Sequence, residues 1–160
     1  MAVIGQKMKK NLLLSSGERM SLEGLCQDSE LGTILYFYPK DMTSVCTTQA
    51  VQFRDALSWF KKRGINVVGV SRDSLVRHNK FIEKHELTFP LVADVEEILC
   101  QQFDVIKEKS MYGRKYLGIV RSTFLLDRNA KIIESWRGVS IKSHLKDVQS
   151  VIEAWLGGQK

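Results

Sequence analysis

The feature that most constrains this chain is a strand that runs into a proline, a short polar loop and one cysteine at the head of a helix. Thr33, Ile34, Leu35, Tyr36, Phe37 and Tyr38 are β-branched, apolar or aromatic, the make-up of a core strand. Pro39 ends the strand because it has no N–H to give to a ladder. A polar loop leads to Cys46, and Thr47-Thr48-Gln49-Ala50 opens an amphipathic helix. Ala50, Phe53, Leu57 and Phe60 recur at helical spacing as one apolar stripe, and Gly64 suits the position just past the helix end. Cys46 therefore belongs where a loop hands over to a helix N-terminus. Free N–H groups and the positive end of the helix dipole favour a thiolate there. The thiolate is the nucleophilic form. A lone cysteine is by default a buried structural residue; this context reverses that default.

The rest of the chain reads as alternating elements. Residues 1–32 are expected as an irregular lead-in with a small hairpin: a strand at 11–14, a turn at 15–18 and a return at 19–22. Cys26 falls in a loop or short turn. Residues 34–38 are the first long strand, and the helix after Cys46 runs to about residue 63. The apolar run 65–70 suits a buried parallel strand. Ser71 or Asp73 can cap a helix with Leu75, Val76, Phe81 and Ile82 on its apolar side, leaving His78 and His85 on the helix surface. A short strand follows at 89–92. A helix at 96–103 has Ile98 and Leu99 inward and Cys100 buried. Residues 104–118 read as irregular and basic. A hairpin joins 122–126 to 131–136, and an amphipathic helix closes the chain at 143–155, with Leu145, Val148, Ile152 and Trp155 on one stripe. This order implies an α/β fold: a central mixed sheet with helices on both faces and an N-terminal β-hairpin. A length of 160 residues fits one domain spanning 1–160.

Composition narrows the function classes. No apolar run approaches a membrane span, and Lys9-Lys10 precede only Leu12-Leu13-Leu14, too short for a signal-peptide core. A cytoplasmic protein without membrane contact is the expectation. The three cysteines are irregularly spaced and make no disulfide framework, so they read as thiols. No His/Cys/Asp spacing suggests a metal site, and no CxxC supports dithiol exchange. The formal charge of +6 comes from scattered residues; short clusters such as Lys61-Lys62-Arg63 sit at element ends, where they complement a helix C-terminus. No nucleic-acid motif accompanies them.

Pro39-Lys40-Asp41-Met42-Thr43-Ser44-Val45-Cys46 fits the pattern Pro-x-x-x-Thr-x-x-Cys. It resembles the peroxidatic-cysteine motif of peroxiredoxins, and its flanks resemble the bacterioferritin comigratory protein (PrxQ-type) subfamily. Val68-Gly69-Val70-Ser71-Arg72-Asp73-Ser74, Phe89-Pro90-Leu91-Val92-Ala93-Asp94, Met111-Tyr112-Gly113-Arg114-Lys115-Tyr116 and Arg121-Ser122-Thr123-Phe124-Leu125-Leu126-Asp127 are similar to segments of the same subfamily. The resemblance covers most of residues 35–137 and implies a thioredoxin-like fold.

It also implies a function: a thiol-dependent peroxidase that reduces hydrogen peroxide and organic hydroperoxides through a Cys46 sulfenic acid. Arg121 stands at the family's active-site arginine and Thr43 at its active-site threonine. A permanent cation would favour the Cys46 thiolate and polarise a peroxide oxygen. The Thr43 hydroxyl would accept from the peroxide and donate to the sulfur. Backbone N–H groups at Val45 and Cys46 would hold the second oxygen, and Pro39 would shield the sulfur. Alone, Arg121 reads as a surface charge and Thr43 as a cap or turn residue; the joint match assigns them these roles. Gln49, one turn past the thiol, either orients Arg121 or lies on the helix surface.

Two departures from the family stand out. Met42 and Val45 replace an Asn and a Gly, and Ser44 replaces a Pro, which makes the loop more apolar and less turn-like. The two usual places of a resolving cysteine hold Val51 and, on the next helix, Phe81 and Ile82. Cys26 and Cys100 are the remaining internal candidates. The expected cycle is one-Cys, resolved by thioredoxin, glutaredoxin or glutathione, in a monomer with no metal, haem or flavin; resolution by Cys26, by Cys100 or through an intermolecular disulfide is the alternative. The rival readings are a non-enzymatic redox sensor or holdase on the same fold, and a basic module that binds an anionic partner.

Overall fold

In the computed structural model, which describes residues 11–158, the chain begins with a small antiparallel hairpin, β1 (Leu12–Leu13) and β2 (Arg19–Met20). The first part of the lead-in expected over 1–32, residues 1–10 with Lys9-Lys10, lies outside the described residues. The return strand stops early because Ser21 Oγ accepts the Gly24 N–H and starts α1 (Leu22–Gln27). Cys26 thus lies in a helix, fully buried, and not in an accessible loop.

The central elements follow as β3 (Gly32–Phe37), α2 (Ser44–Lys61), β4 (Ile65–Ser71), α3 (Leu75–His85), β5 (Leu91–Ala93) and α4 (Ile98–Gln102). Gly64 turns the chain after α2 at φ +76°, and a Cβ there would meet Glu30 Cβ at 2.9 Å, so only glycine fits. Ser74 caps α3 by accepting the Arg77 N–H, in place of the expected Ser71 or Asp73, whose side chains bond each other. On α3 the buried face carries His78 and Phe81, while Val76 is 63% exposed. His78 is therefore a core residue, contrary to the surface position expected for it. His85 is half-buried, its ring edge-on to Phe81.

Residues 104–118 are also more ordered than expected. β6 (Ile106–Met111) and β7 (Arg114–Ile119) form a two-stranded ribbon turned by Tyr112 and Gly113, both at positive φ. Most ribbon side chains are exposed or half-exposed, so no hydrophobic period marks the strands. The chain closes with β8 (Ser122–Asp127), β9 (Ile132–Arg137) and α5 (Ile141–Gly157).

The main sheet has the order β5-β4-β3-β8-β9, with β3, β4 and β5 parallel and β8 and β9 antiparallel to their neighbours. Alternating side chains build a core on each face. Ile34, Tyr36 and Tyr38 pack with Cys46, Phe53 and Phe60 of α2, Phe81 of α3, and Val148 and Ile152 of α5. Leu35 and Phe37 pack on the other face with Leu22, Leu25 and Cys26 of α1 and with Leu99 and Cys100 of α4. Phe37 pairs with Ser122 on one side and Val70 on the other, and Val70 pairs with Val92. The ends of three parallel strands and the start of β8 therefore meet at one edge, as open α/β sheets present their ligand sites. No helix among the described residues is long and apolar enough to cross a membrane.

His144 of α5 is buried against this sheet, its Nε2 bonded to Thr123 Oγ1 at 2.8 Å and its ring edge-on to Trp136. Burial pushes its pKa down to about 4, with Asp147 opposing and Arg121 reinforcing the shift. The unfolded chain takes up this proton near pH 6.5 and the folded one only near 4. Stability is therefore lost as pH falls through that window and levels off below it. Urea unfolding at pH 7 and pH 4.5 is expected to show wild type losing about 2 kcal/mol more than His144→Gln, which keeps a partner for Thr123 without a titrating ring. Equal losses would place the acid sensitivity elsewhere.

Candidate active site

At the head of α2 the N-cap is Thr43, extended at φ −77° and ψ 154°. Its side chain makes no capping bond; Oγ1 donates instead to the Lys40 carbonyl at 2.9 Å. The hydroxyl proton is thus committed away from the sulfur that it was expected to reach, and the oxygen's lone pairs remain as acceptors. The first helical bond of this turn runs from Thr47 N–H to Thr43 C=O at 2.9 Å. The N–H groups of Ser44, Val45 and Cys46 precede it and have no acceptor within the helix. Such a helix end attracts negative charge.

Cys46 sits in this first turn, only 2% exposed, in the core formed with Tyr36 and Tyr38. Val45 beside it is 48% exposed, Met42 is also exposed, and Pro39 is half-buried. Arg121, immediately before β8, reaches across the sheet end. Its Nη2 donates to Cys46 Sγ at 3.2 Å and its Nη1 to Gln49 Oε1 at 2.6 Å. Its own carbonyl accepts the Val139 N–H at 2.9 Å, which fixes the backbone from the far side. Gln49 is buried and not on the helix surface, and its Nε2 has no partner. The geometry therefore gathers Cys46, Gln49 and Arg121 into one bonded unit at the head of α2, with Pro39, Thr43 and Val45 preceding the sulfur in the chain. A cation on the sulfur and free amides at a helix start can hold a thiolate and bind a polar oxygen beside it.

Two neighbours escaped the sequence. Lys109 of β6 donates to the Ile119 carbonyl, and its ammonium is held below the usual range by burial and by Arg121, with the Cys46 sulfur pulling the other way. It fell in the segment read as irregular. Tyr36 stacks on Phe53 at 4.6 Å with its buried hydroxyl unpartnered. Burial first, and then Asp41 and Cys46, keep it well above the usual phenol range. Its aromatic character marked it only as core.

The other thiols stand apart. Cys26 and Cys100 belong to the core on the opposite sheet face from Cys46. Burial pushes the Cys26 thiol up to about 12, and it raises Cys100 as well, with Asp94 adding to it. Asp41, Asp73 and His78 are the one group among the described residues with donor atoms all within 4.8 Å of one another. Those atoms already serve one another and Tyr38, Ser71 and Arg77 in hydrogen bonds. The cluster is thus a closed polar network and not a ligand set awaiting a cation.

Residues 4–135 match the AhpC/TSA family. Peroxiredoxin Bcp of Xanthomonas campestris pv. campestris is 47% identical over 121 residues, 76% of each chain. Peroxiredoxin Bcp of Bacillus subtilis is 46% identical over 120 residues, 75% of this chain and 76% of its own. A solved structure of the Xanthomonas campestris bacterioferritin comigratory protein, from work on its alkyl peroxide reduction activity, superposes with a TM-score of 0.87 at 40% identity over 96% of each chain. Together with the strand-Pro-loop-Cys-helix site, these matches place the chain in the AhpC/TSA family, as a peroxiredoxin of the bacterioferritin comigratory protein type and a thiol-dependent peroxidase.

Proposed function

We propose that Cys46 is the peroxidatic residue of a one-Cys cycle on hydrogen peroxide and organic hydroperoxides. The observation that carries this reading is the Arg121 guanidinium bonded at once to Cys46 Sγ and to the buried Gln49. The thiolate attacks the terminal peroxide oxygen. The O–O bond breaks and its electron pair leaves with the distal oxygen, which takes a proton and departs as water or alcohol. Cys46 is left as the sulfenic acid. Thr43 Oγ1 accepts from the peroxide O–H, and the Val45 and Cys46 amides hold the oxygen on which charge develops. Pro39 and Val45 border the sulfur and limit water there. Gln49 holds the guanidinium that donates to the sulfur.

An external thiol then attacks the sulfenic acid, releasing water and leaving a mixed disulfide that a second thiol reduces. Thioredoxin, glutaredoxin or glutathione supplies these thiols in our reading. The placement of Cys26 and Cys100 across the sheet supports an external partner. The alkyl peroxide reduction named for the Xanthomonas campestris protein supports organic hydroperoxides as substrates. We read the chain as a single-domain monomer of a reducing cytoplasm, in keeping with its three unpaired thiols.

Mass spectrometry of the reduced protein after one equivalent of hydrogen peroxide is expected to find a trapped sulfenic acid at Cys46, and no intramolecular disulfide when the trap is omitted. Cys46→Ser should lose peroxide consumption while Cys26→Ser and Cys100→Ser keep it. A rapid disulfide to Cys26 or Cys100 would replace the one-Cys cycle, and full activity in Cys46→Ser would remove the catalytic assignment.

Arg121→Gln removes the cation but leaves an amide for Gln49. It should lower the second-order rate with peroxide by about a hundredfold, the usual effect of losing one donor to a developing charge. Arg121→Lys should fall between, since one ammonium cannot serve both Sγ and Gln49 in a planar fork. An unchanged rate in Arg121→Gln would show that the guanidinium does not act on the reacting sulfur.

A further inference from the structure

The loop that carries Thr43 and leads into Cys46 is fixed at a residue that touches no reacting atom. Asp41 is buried, and all of its polar groups are engaged. Tyr38 OH donates to Oδ1 at 2.5 Å, and His78 Nδ1 contacts Oδ2 at 2.7 Å. The Asp41 N–H donates to Asp73 Oδ2 at 2.8 Å, and Arg77 Nη2 donates to the Asp41 carbonyl at 3.3 Å. Asp73 is itself held by Ser71 Oγ and by Arg77 Nε. Burial pushes the Asp73 carboxyl up, but these donors outweigh it and hold it below the ordinary range. The next residue, Met42, stands at φ +71°, a conformation that a methionine keeps only when its neighbours impose it. Beyond it come the Thr43 cap and the turn with Cys46.

The proton count at His78 follows from its two partners. Nε2 lies 2.8 Å from the Val92 carbonyl, which can only accept, so Nε2 carries a proton. Nδ1 and Asp41 Oδ2 then need one proton between them, whether it rests on the imidazole or on the carboxyl. Tyr38, whose phenol burial holds well above its usual range, supplies the donor to the other oxygen.

We infer that Asp41 and His78 are positioning residues, a one-proton clamp that holds the 39–43 loop and through it seats Cys46 against Arg121. This inference rests on the reading of Cys46 as the peroxidatic residue. The clamp reaches Cys46 along the loop backbone: β5 and α3 fix the imidazole, the imidazole fixes the Asp41 carboxyl, and Asp41 holds the strained Met42 that sets the Thr43 cap.

Amide substitutions separate the clamp from mere packing. In Asp41→Asn the amide oxygen still accepts from Tyr38 and the amide N–H donates to a neutral Nδ1. In His78→Asn an N–H replaces Nδ1 opposite Asp41. In His78→Gln the N–H falls at the Nε2 position, keeping Val92 and losing Asp41. Asp41→Leu loses both contacts. The rate of sulfenic acid formation with hydrogen peroxide, and the pH dependence of Cys46 alkylation by iodoacetamide, are to be measured on reduced protein, with thermal melting alongside. Asp41→Asn and His78→Asn should retain the larger part of the peroxide rate. His78→Gln and Asp41→Leu should lose about ten- to a hundredfold, the effect of one bond to a charged group. Their Cys46 alkylation midpoint should move to higher pH. If Asp41→Leu does not fold, His78→Gln decides, because it keeps the Val92 anchor. Wild-type rates in His78→Gln would overturn the clamp, as would equal losses in all four variants with no change in the alkylation profile. Peroxide reduction that survives Cys46→Ser would instead overturn the reading on which the clamp rests.

Discussion

Everything at this site depends on the antiparallel pairing of β8 with β3. The register sets Phe37 opposite Ser122, so the residue before β8, Arg121, emerges beside the loop that leaves β3. A slip of one residue would turn every β8 side chain to the other face and carry the guanidinium away from the sulfur. The pairing is protected against such a slip because both strands are buried on both faces and feed two separate cores. The parallel partner β4 fixes the other flank, bringing Ser71 and Asp73 to the same edge. The site is thus a property of strand order as much as of the residues in it.

Legibility in the sequence followed the strength of the periodic signal. The β3-loop-α2 unit was readable because an apolar run, a proline and an amphipathic helix each constrain the backbone differently and agree on one handover point. The ribbon β6-β7 was not, since strands exposed on both faces carry no hydrophobic alternation, although Tyr112-Gly113 was a turn signal in plain view. Cys26 was misplaced because a six-residue helix is too short to show a period. His78 was legible in principle. It stands three and four residues before Phe81 and Ile82, on their face of the helix, whereas the apolar Val76 turns to solvent. A histidine on an apolar face needs a partner, and the partner here is 37 positions away in sequence, beyond any local pattern.

The sheet also separates the chemistry of the three thiols. Cys46 has a cation at 3.2 Å and a helix N-terminus under it, while Cys26 and Cys100 lie in apolar surroundings that penalise a thiolate. The same residue type therefore meets a cation and a helix start on one face, and burial that raises its pKa on the other. The difference comes from backbone placement and from one arginine, not from any property of cysteine itself.

Asp41 is a buried carboxyl on the loop that leads into Cys46. Asp41 and Cys46 both bear on the same Tyr36 hydroxyl, which puts the two within electrostatic reach of one centre. The shared proton with His78 makes the pair neutral as a whole, and Arg77 answers the charge on Asp73. The network can then hold the loop through four hydrogen-bonding groups of Asp41 without adding net negative charge to it. Rigidity and electrostatics are reconciled by one imidazole, and the guanidinium is left to the sulfur and to Gln49.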